Sequence, residues 1–165
     1  MLKSLLATGK HDVTVLTRSE STATFPSGAT ITKVDYTSPA NITSALRGHD
    51  FLIITLSVSS PPDLHSRIVN AAAEAGVKYI MPNYYGYALS ERTGSVPSDP
   101  ILGGFEKYIN DVREVQQKGH DVKYVAMSCG FWYEFSLGMG EPWFGFDVQN
   151  RKVSHYNHLS LFRTW

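Results

Sequence analysis

Apolar and polar residues in this chain alternate between short apolar runs and longer stripes at helical spacing. Phe51 to Leu56 is an almost unbroken apolar run, bounded by Asp50 and by Ser57-Val58-Ser59-Ser60. It is too short for a membrane span and does not alternate, so it predicts a strand buried on both faces, as the centre of a parallel sheet requires. Leu64, Ile68, Val69, Ala72 and Ala75 then recur at helical spacing. Ser60 is placed to cap that helix, Pro61 and Pro62 suit its first turn, and Asp63 suits the positive end of its dipole. Gly76 can end it in the left-handed conformation. The centre of the chain is therefore a β-α-β unit.

The flanking pattern extends the unit on both sides. Leu2, Leu5 and Leu6 share one face of an N-terminal helix with Gly9 as its end signal. That helix has no start signal, which predicts that a segment upstream of Met1 is absent. Val13–Thr17 and Thr30–Val34 read as strands, and Ser38-Pro39 opens a short helix carrying Ile42, Ala45 and Leu46 and closed by Gly48. Val77–Met81 is the next strand, stopped by Pro82. Asn83 to Gly104 reads as a loop of a length that is usually functional. Phe105 to Lys118 returns to helical spacing, with Phe105, Tyr108, Ile109, Val112 and Val115 on one side, and Val122–Met127 reads as the last strand. Alternating strands and helices predict a doubly wound, mainly parallel α/β sheet with helices on both faces, with Val13–Thr17 and Phe51–Leu56 as adjacent central strands. Residues 1–128 form that domain. Residues 129–165 change to a glycine- and aromatic-rich tail without a closing strand-helix pair, the incomplete start of a second region.

Composition narrows the function classes. The 165 residues allow one domain of ordinary core size, and hydrophobic and aromatic fractions of 42% and 12% are globular values. Lys+Arg and Asp+Glu both total 15, which removes the electrostatic case for nucleic acid or an anionic membrane surface. Cys129 is the single cysteine, so neither a disulfide framework nor a thiolate metal cluster is expected, and it reads as a small buried hydrophobe. His155 and His158, without nearby acids or cysteines, do not make a metal site. A reducing, cytoplasmic setting is the default expectation, or a nuclear one for a regulator.

Several stretches in order resemble the NmrA-like, isoflavone-reductase-like family of atypical short-chain dehydrogenases, especially its fungal members. They are Val13–Arg18, Val34-Asp35-Tyr36 with the helix to Gly48, Asp50–Ser57, Val77–Gly86 and Cys129–Leu137. The resemblance implies an NAD(P)-binding Rossmann-like fold whose first strand and glycine-rich turn precede the helix at Met1, and a longer C-terminal substrate part. This sequence contains no G-x-x-G-x-x-G turn, and its earliest glycine, Gly9, follows the first helix. Such turns hold the pyrophosphate on backbone N–H groups, so weak NADP(H) binding is expected.

Candidate site residues follow from strand ends. Arg18 stands after the first visible strand, where an arginine suits a 2′-phosphate, and the cofactor reading is preferred to a solvated turn residue. Asp35 ends the next strand, where the resemblance implies adenine contact; a turn-forming aspartate is the alternative. Thr55, Leu56 and Ser57 end the central strand, and ligands in open α/β sheets sit beyond the carboxyl ends of strands. Pro82, Asn83, Tyr84 and Tyr85 occupy the equivalent place on the next strand, and the resemblance places this stretch beside the nicotinamide, with Tyr85 on the substrate side.

Lys107 matches the active-site lysine of the resembling reductases, where an ammonium holds a carbonyl or relays a proton. Lys107, Asp111, Glu114 and Lys118 nevertheless share one helix face with opposite charges four apart, the pattern of a solvated face, and that reading is preferred. A typical short-chain dehydrogenase needs a tyrosine four residues before a lysine, and no tyrosine here has one. Phe131, Trp132, Tyr133 and Phe135 resemble the substrate-side segment and suit an apolar pocket, though core packing uses such residues as well. The expected function is that of an NADPH-dependent reductase of a small aromatic or conjugated substrate. The alternatives are a non-catalytic dinucleotide sensor with a regulatory protein partner, or an inactive truncated product. Neither nucleic acid nor membrane is an expected partner.

Overall fold

The computed structural model describes residues 1–57, 59–86, 103–129, 145–147 and 149–154, with the side chains of residues 103–105 excepted. Its helices are α1 (Leu2–Ala7), α2 (Pro39–Leu46), α3 (Leu64–Ala75) and α4 (Gly103–Gln117). Its strands are β1 (Thr14–Arg18), β2 (Thr30–Val34), β3 (Phe51–Ile53), β4 (Tyr79–Met81), β5 (Lys123–Tyr124), β6 (Phe146–Asp147) and β7 (Lys152–Val153). The order β1-β2-α2-β3-α3-β4-α4-β5 is the alternation that the apolar pattern predicts.

Local signals place most element ends. Ser38 caps α2, its side chain accepting from the Asn41 N–H at 3.3 Å, with Pro39 in the first turn. Gly76 terminates α3 in the left-handed region at φ 82°, and the Gly76 and Val77 amides close back onto the Ala73 and Ala72 carbonyls at 3.1 and 3.0 Å. The start of α3 differs from expectation. It begins at Leu64, with Asp63 rather than Ser60 at the cap position. Ser60 and Pro61 each precede a proline, which disfavours helical backbone at both, so the helix cannot begin until the two prolines are passed.

All pairing among β1 to β5 is parallel, but it is divided between two ladders. β1 pairs with β2, from Thr14 opposite Thr30 to Arg18 opposite Val34. β3, β4 and β5 form the other ladder in that order, with Phe51 opposite Tyr79 and Tyr79 opposite Lys123. The expected adjacency of the β1 and β3 strands is therefore corrected: they belong to separate ladders. The apolar period marks which segments are strands and carries no information about which edges meet. What joins the ladders is helical. α2 packs on β2 and on α3, and α3 packs in turn on α4.

The core lies under these three helices. Val34, Ile42, Leu46, Ile54, Val69, Ala72, Ile80, Val112 and Val115 are buried together, with Leu16, Leu52 and Tyr124 packed against them. The other sheet face is different. Ile31, Phe51, Tyr79, Val125 and Met127 are each 40–43% exposed, and Phe51 and Tyr79 stack with ring centroids 6.1 Å apart. One expectation is corrected here: the Phe51 run is not buried on both faces, since among the described residues α2 to α4 pack over the core while the face of Phe51 and Tyr79 is largely open. The short α1 contributes no buried residue. The strand ladder also stops at Ile53 instead of Leu56, and at Tyr124 instead of Met127, each extended by a single amide bond: Ile54 to the Met81 carbonyl and Val125 to the Ile80 carbonyl, both 2.9 Å. Cys129 is exposed, not buried. In the tail, β6 and β7 form a small antiparallel hairpin that the sequence pattern does not signal.

Gly76→Ala isolates the cost of the α3 terminus, because a Cβ there meets nothing within 4 Å. The substitution should destabilise the chain by about 1–2 kcal/mol through backbone conformation alone, read as a lowered urea midpoint at unchanged slope.

Candidate functional site

The carboxyl ends of β3 and β4 are tied together by side chains where the ladder stops. Asn83 Oδ1 accepts from the Leu56 N–H at 2.9 Å, and Asn83 Nδ2 donates to the Leu56 carbonyl at 3.3 Å. One carboxamide thus stands in for a rung of parallel sheet. The Tyr85 hydroxyl donates to the Ile54 carbonyl at 2.9 Å, holding the same stretch from a second point. Thr55 and Ser57 are exposed, Leu56 is half-buried, and Pro82 and Tyr84 are buried. Of the residues expected to line a groove here, Leu56 and Asn83 are brought into direct contact, and Tyr85 reaches the same stretch at Ile54.

Beside this clasp is a cavity of about 110 Å³, lined by Leu56, Ser57 and Ser60 on one side and by His65, Lys107 and Tyr108 on the other. Lys107 is exposed, and its ammonium lies over the Tyr108 ring, 5.0 Å from the centroid. The Tyr108 ring leans on His65 at a centroid distance of 4.6 Å. His65 is 1% exposed, and its Nδ1 is 2.5 Å from Asp111 Oδ2. Its Nε2 receives the Asn83 backbone N–H at 3.2 Å. The α4 face carrying Lys107, Asp111 and Lys118 is thus not simply solvated. Asp111 turns toward α3, with its side chain 20% exposed, and Lys118 donates to Asn70 Oδ1 at 3.3 Å. Opposite charges four apart mark a surface face and a polar seam between helices alike.

His65 and Asp111 carry the most buried polar contact of the site, and sequence reasoning missed His65. The available signal was its place on the apolar stripe of α3, three and four residues before Ile68 and Val69.

The ends of β1 and β2 form the other half of the sheet's carboxyl edge. Arg18 pairs with Glu20 at 3.5 Å, the two side chains being 72% and 71% exposed, so the contact is weak and the guanidinium remains open to solvent. Asp35 is occupied locally. Its Oδ1 accepts from the Thr37 hydroxyl at 2.6 Å and from the Thr37 N–H at 2.8 Å, which holds its carboxyl below the ordinary 3.8. The Asp35 N–H goes to Asn41 Oδ1 at 2.9 Å. Arg67 binds this edge to α3 by donating to the Tyr36 carbonyl.

Burial pushes the Tyr84 and Tyr85 phenols up, with Glu106 adding to the effect at Tyr84 and Cys129 at Tyr85. Both hydroxyls therefore stay protonated at neutral pH. Phe131, Trp132 and Tyr133, with His155 and His158, lie outside the described residues. No group of three or more His, Cys, Asp or Glu side chains able to hold a metal occurs among the described residues. No described helix is long and apolar enough to cross a membrane.

Parallel β-α-β connectivity with polar groups gathered at the strands' carboxyl ends is the arrangement of open α/β proteins that bind ligands at that edge. A family model described as NAD(P)H-binding matches residues 1–130, and the chain belongs to that family. It is similar to oxidoreductase poxI of Penicillium oxalicum, at 33% identity over 52% of this chain and 27% of that protein. It is also similar to oxidoreductase aprR of Aspergillus flavus, at 24% identity over 92% of this chain and 49% of that protein. The chain thus spans between about a quarter and a half of these relatives. A crystal structure of isoflavone reductase shares the fold with a TM-score of 0.65 and 17% identity, covering 93% of this chain and 50% of that one. The resemblance to isoflavone-reductase-like proteins holds at the level of fold.

Thr37→Val should return the Asp35 carboxyl toward its ordinary value, read by NMR titration of its side-chain carbon. Because the folded value is depressed, the Asp35 turn adds stability above the unfolded carboxyl pKa, and that contribution disappears as pH falls through the lowered one. The variant should lose this part of the acid dependence.

Proposed function

We propose that the chain is the dinucleotide-binding part of an NADPH-dependent reductase acting on a small aromatic or conjugated substrate. The observation that carries this reading is the convergence of Leu56, clasped by Asn83, and of Ser57 on the same cavity as Lys107, at the carboxyl ends of neighbouring parallel strands. The oxidoreductase names of the curated relatives support the reaction class.

The residues present fit the two ends of a nicotinamide dinucleotide. Arg18 offers an open guanidinium to a 2′-phosphate, and Leu56, Ser57, Pro82, Asn83 and Tyr84 offer a backbone-rich edge to the nicotinamide half. When bound, the cofactor supplies a hydride to the substrate. Lys107 would hold the substrate's carbonyl oxygen or deliver the balancing proton from its ammonium. Tyr85, and Phe131, Trp132 and Tyr133 after β5, would form the apolar side of the substrate pocket, so that residues from 129 onward begin the substrate region. With no G-x-x-G-x-x-G turn in the sequence, the pyrophosphate lacks its usual donors and the 165-residue chain should hold NADPH weakly.

A second reading, a dinucleotide sensor that engages a regulatory protein, is favoured by one observation. The exposed Lys107 ammonium is taken up by the Tyr108 ring, 5.0 Å from its centroid.

Two measurements test these readings. In calorimetric titrations, Arg18→Ala should weaken NADPH more than NADH, and equal losses would reduce Arg18 to a surface residue. In full-length protein that includes the substrate region, with an α,β-unsaturated aromatic ketone as acceptor, Lys107→Ala should abolish turnover while leaving NADPH affinity nearly intact. Turnover that survives the substitution removes Lys107 from the reaction, and full-length protein that binds NADPH without any turnover supports the sensor.

A further inference from the structure

We propose that His65 is a positioning residue of this site, a neutral imidazole that sets the Asn83 clasp on Leu56 and ties it to the helix carrying Lys107. The inference rests on the reading of that edge as a dinucleotide groove.

The hydrogen-bond pattern assigns the tautomer. A backbone N–H is only a donor, so the Asn83 amide aimed at Nε2 requires a lone pair there. The single proton of the neutral ring then sits on Nδ1 and is donated to the Asp111 carboxylate. An imidazolium would set its Nε2–H against the Asn83 N–H. The result is a series of contacts from Asp111 to His65 to Asn83 to Leu56, joining α4, α3 and the segments that follow β4 and β3.

Each link constrains something the site uses. Asn83 needs both halves of its carboxamide to satisfy the Leu56 N–H and C=O, so a small rotation of its backbone breaks two bonds at once. His65 is the group that fixes that backbone. At the other end, Asp111 lies one turn beyond Lys107 on α4, on the same face. The bond from His65 to Asp111 therefore adds a polar tie to the apolar packing that seats α4, one turn from the wall that Lys107 gives the cavity. A histidine serving only as buried volume would need neither bond in particular, and two substitutions separate the alternatives. Glutamine places a carboxamide oxygen near Nε2 and can still accept from Asn83, without a donor near Nδ1. Asparagine reaches Asp111 and leaves Asn83 without an acceptor.

The test uses the full chain labelled with ¹⁵N. In the wild type, the imidazole shifts should show Nδ1 protonated and Nε2 bare at neutral pH, and the Asn83 amide should be protected from exchange. His65→Asn should lose that protection and weaken NADPH by about tenfold, because part of the binding free energy must then re-order the clasp, whereas His65→Gln should keep both within a few-fold. Equal loss in the two variants, or a wild-type proton on Nε2, overturns the proposal. So does unchanged NADPH affinity in His65→Asn. If neither variant folds, the wild-type tautomer and Asn83 exchange decide it. If the wild type shows the expected tautomer and protection but binds no NADPH, the reductase reading fails while the series of contacts stands.

Discussion

Two parallel ladders stay in one body here because α2 is packed on α3. No hydrogen bond crosses from β1 to β3 among the described residues, so side chains between helices must supply what backbone pairing does elsewhere. Ile42 and Leu46 from α2 and Val69 and Ala72 from α3 lie in the same buried cluster. Small residues on α3 let the helices approach closely, and close-packed interiors tolerate little volume change. Two polar contacts follow the same line: Arg67 reaches the Tyr36 carbonyl beyond β2, and Thr43 reaches Glu74 at 3.4 Å.

The position of α3 also explains the candidate site. Its first turn carries His65 into the space between the end of β4 and helix α4, while its fourth residue, Arg67, reaches toward β2. The helix thus touches both halves of the sheet's carboxyl edge. Asn83 finishes the work at the strand end by substituting a side chain for a missing rung. Such a device leaves the strand tip ordered without extending the ladder into the space where a ligand would lie.

Much of this was legible in the sequence, and the exceptions share a cause. Strand and helix identity followed from apolar period, and Ser38, Pro39 and Gly76 placed helix ends because capping depends on local chemistry. What stayed hidden depends on neighbours distant in sequence. The apolar run at Phe51 reads the same whether its strand has two partners or one, and whether both faces are covered or only that of Leu52 and Ile54. Asp111 and Lys107 read as a solvated pair because four-residue spacing looks alike on a surface and in a seam. His65 sat in plain view on an apolar stripe, but its partners come from residues 83 and 111, which no local pattern links to it. The split between the ladders is illegible for the same reason.

That split has a consequence for how the protein opens. Backbone ladders tend to lose their amide protection as contiguous units, each with its own opening free energy. Among the described residues the β1–β2 pair and the β3–β4–β5 trio share no rung, so their opening is coupled through packing, chiefly that of α2 on α3. A molecule spanning both carboxyl edges would couple them again, and by mass action would raise the cost of opening as its concentration rises. Occupancy in such a chain would be felt first as cooperativity, with the two halves beginning to exchange their amide hydrogens together.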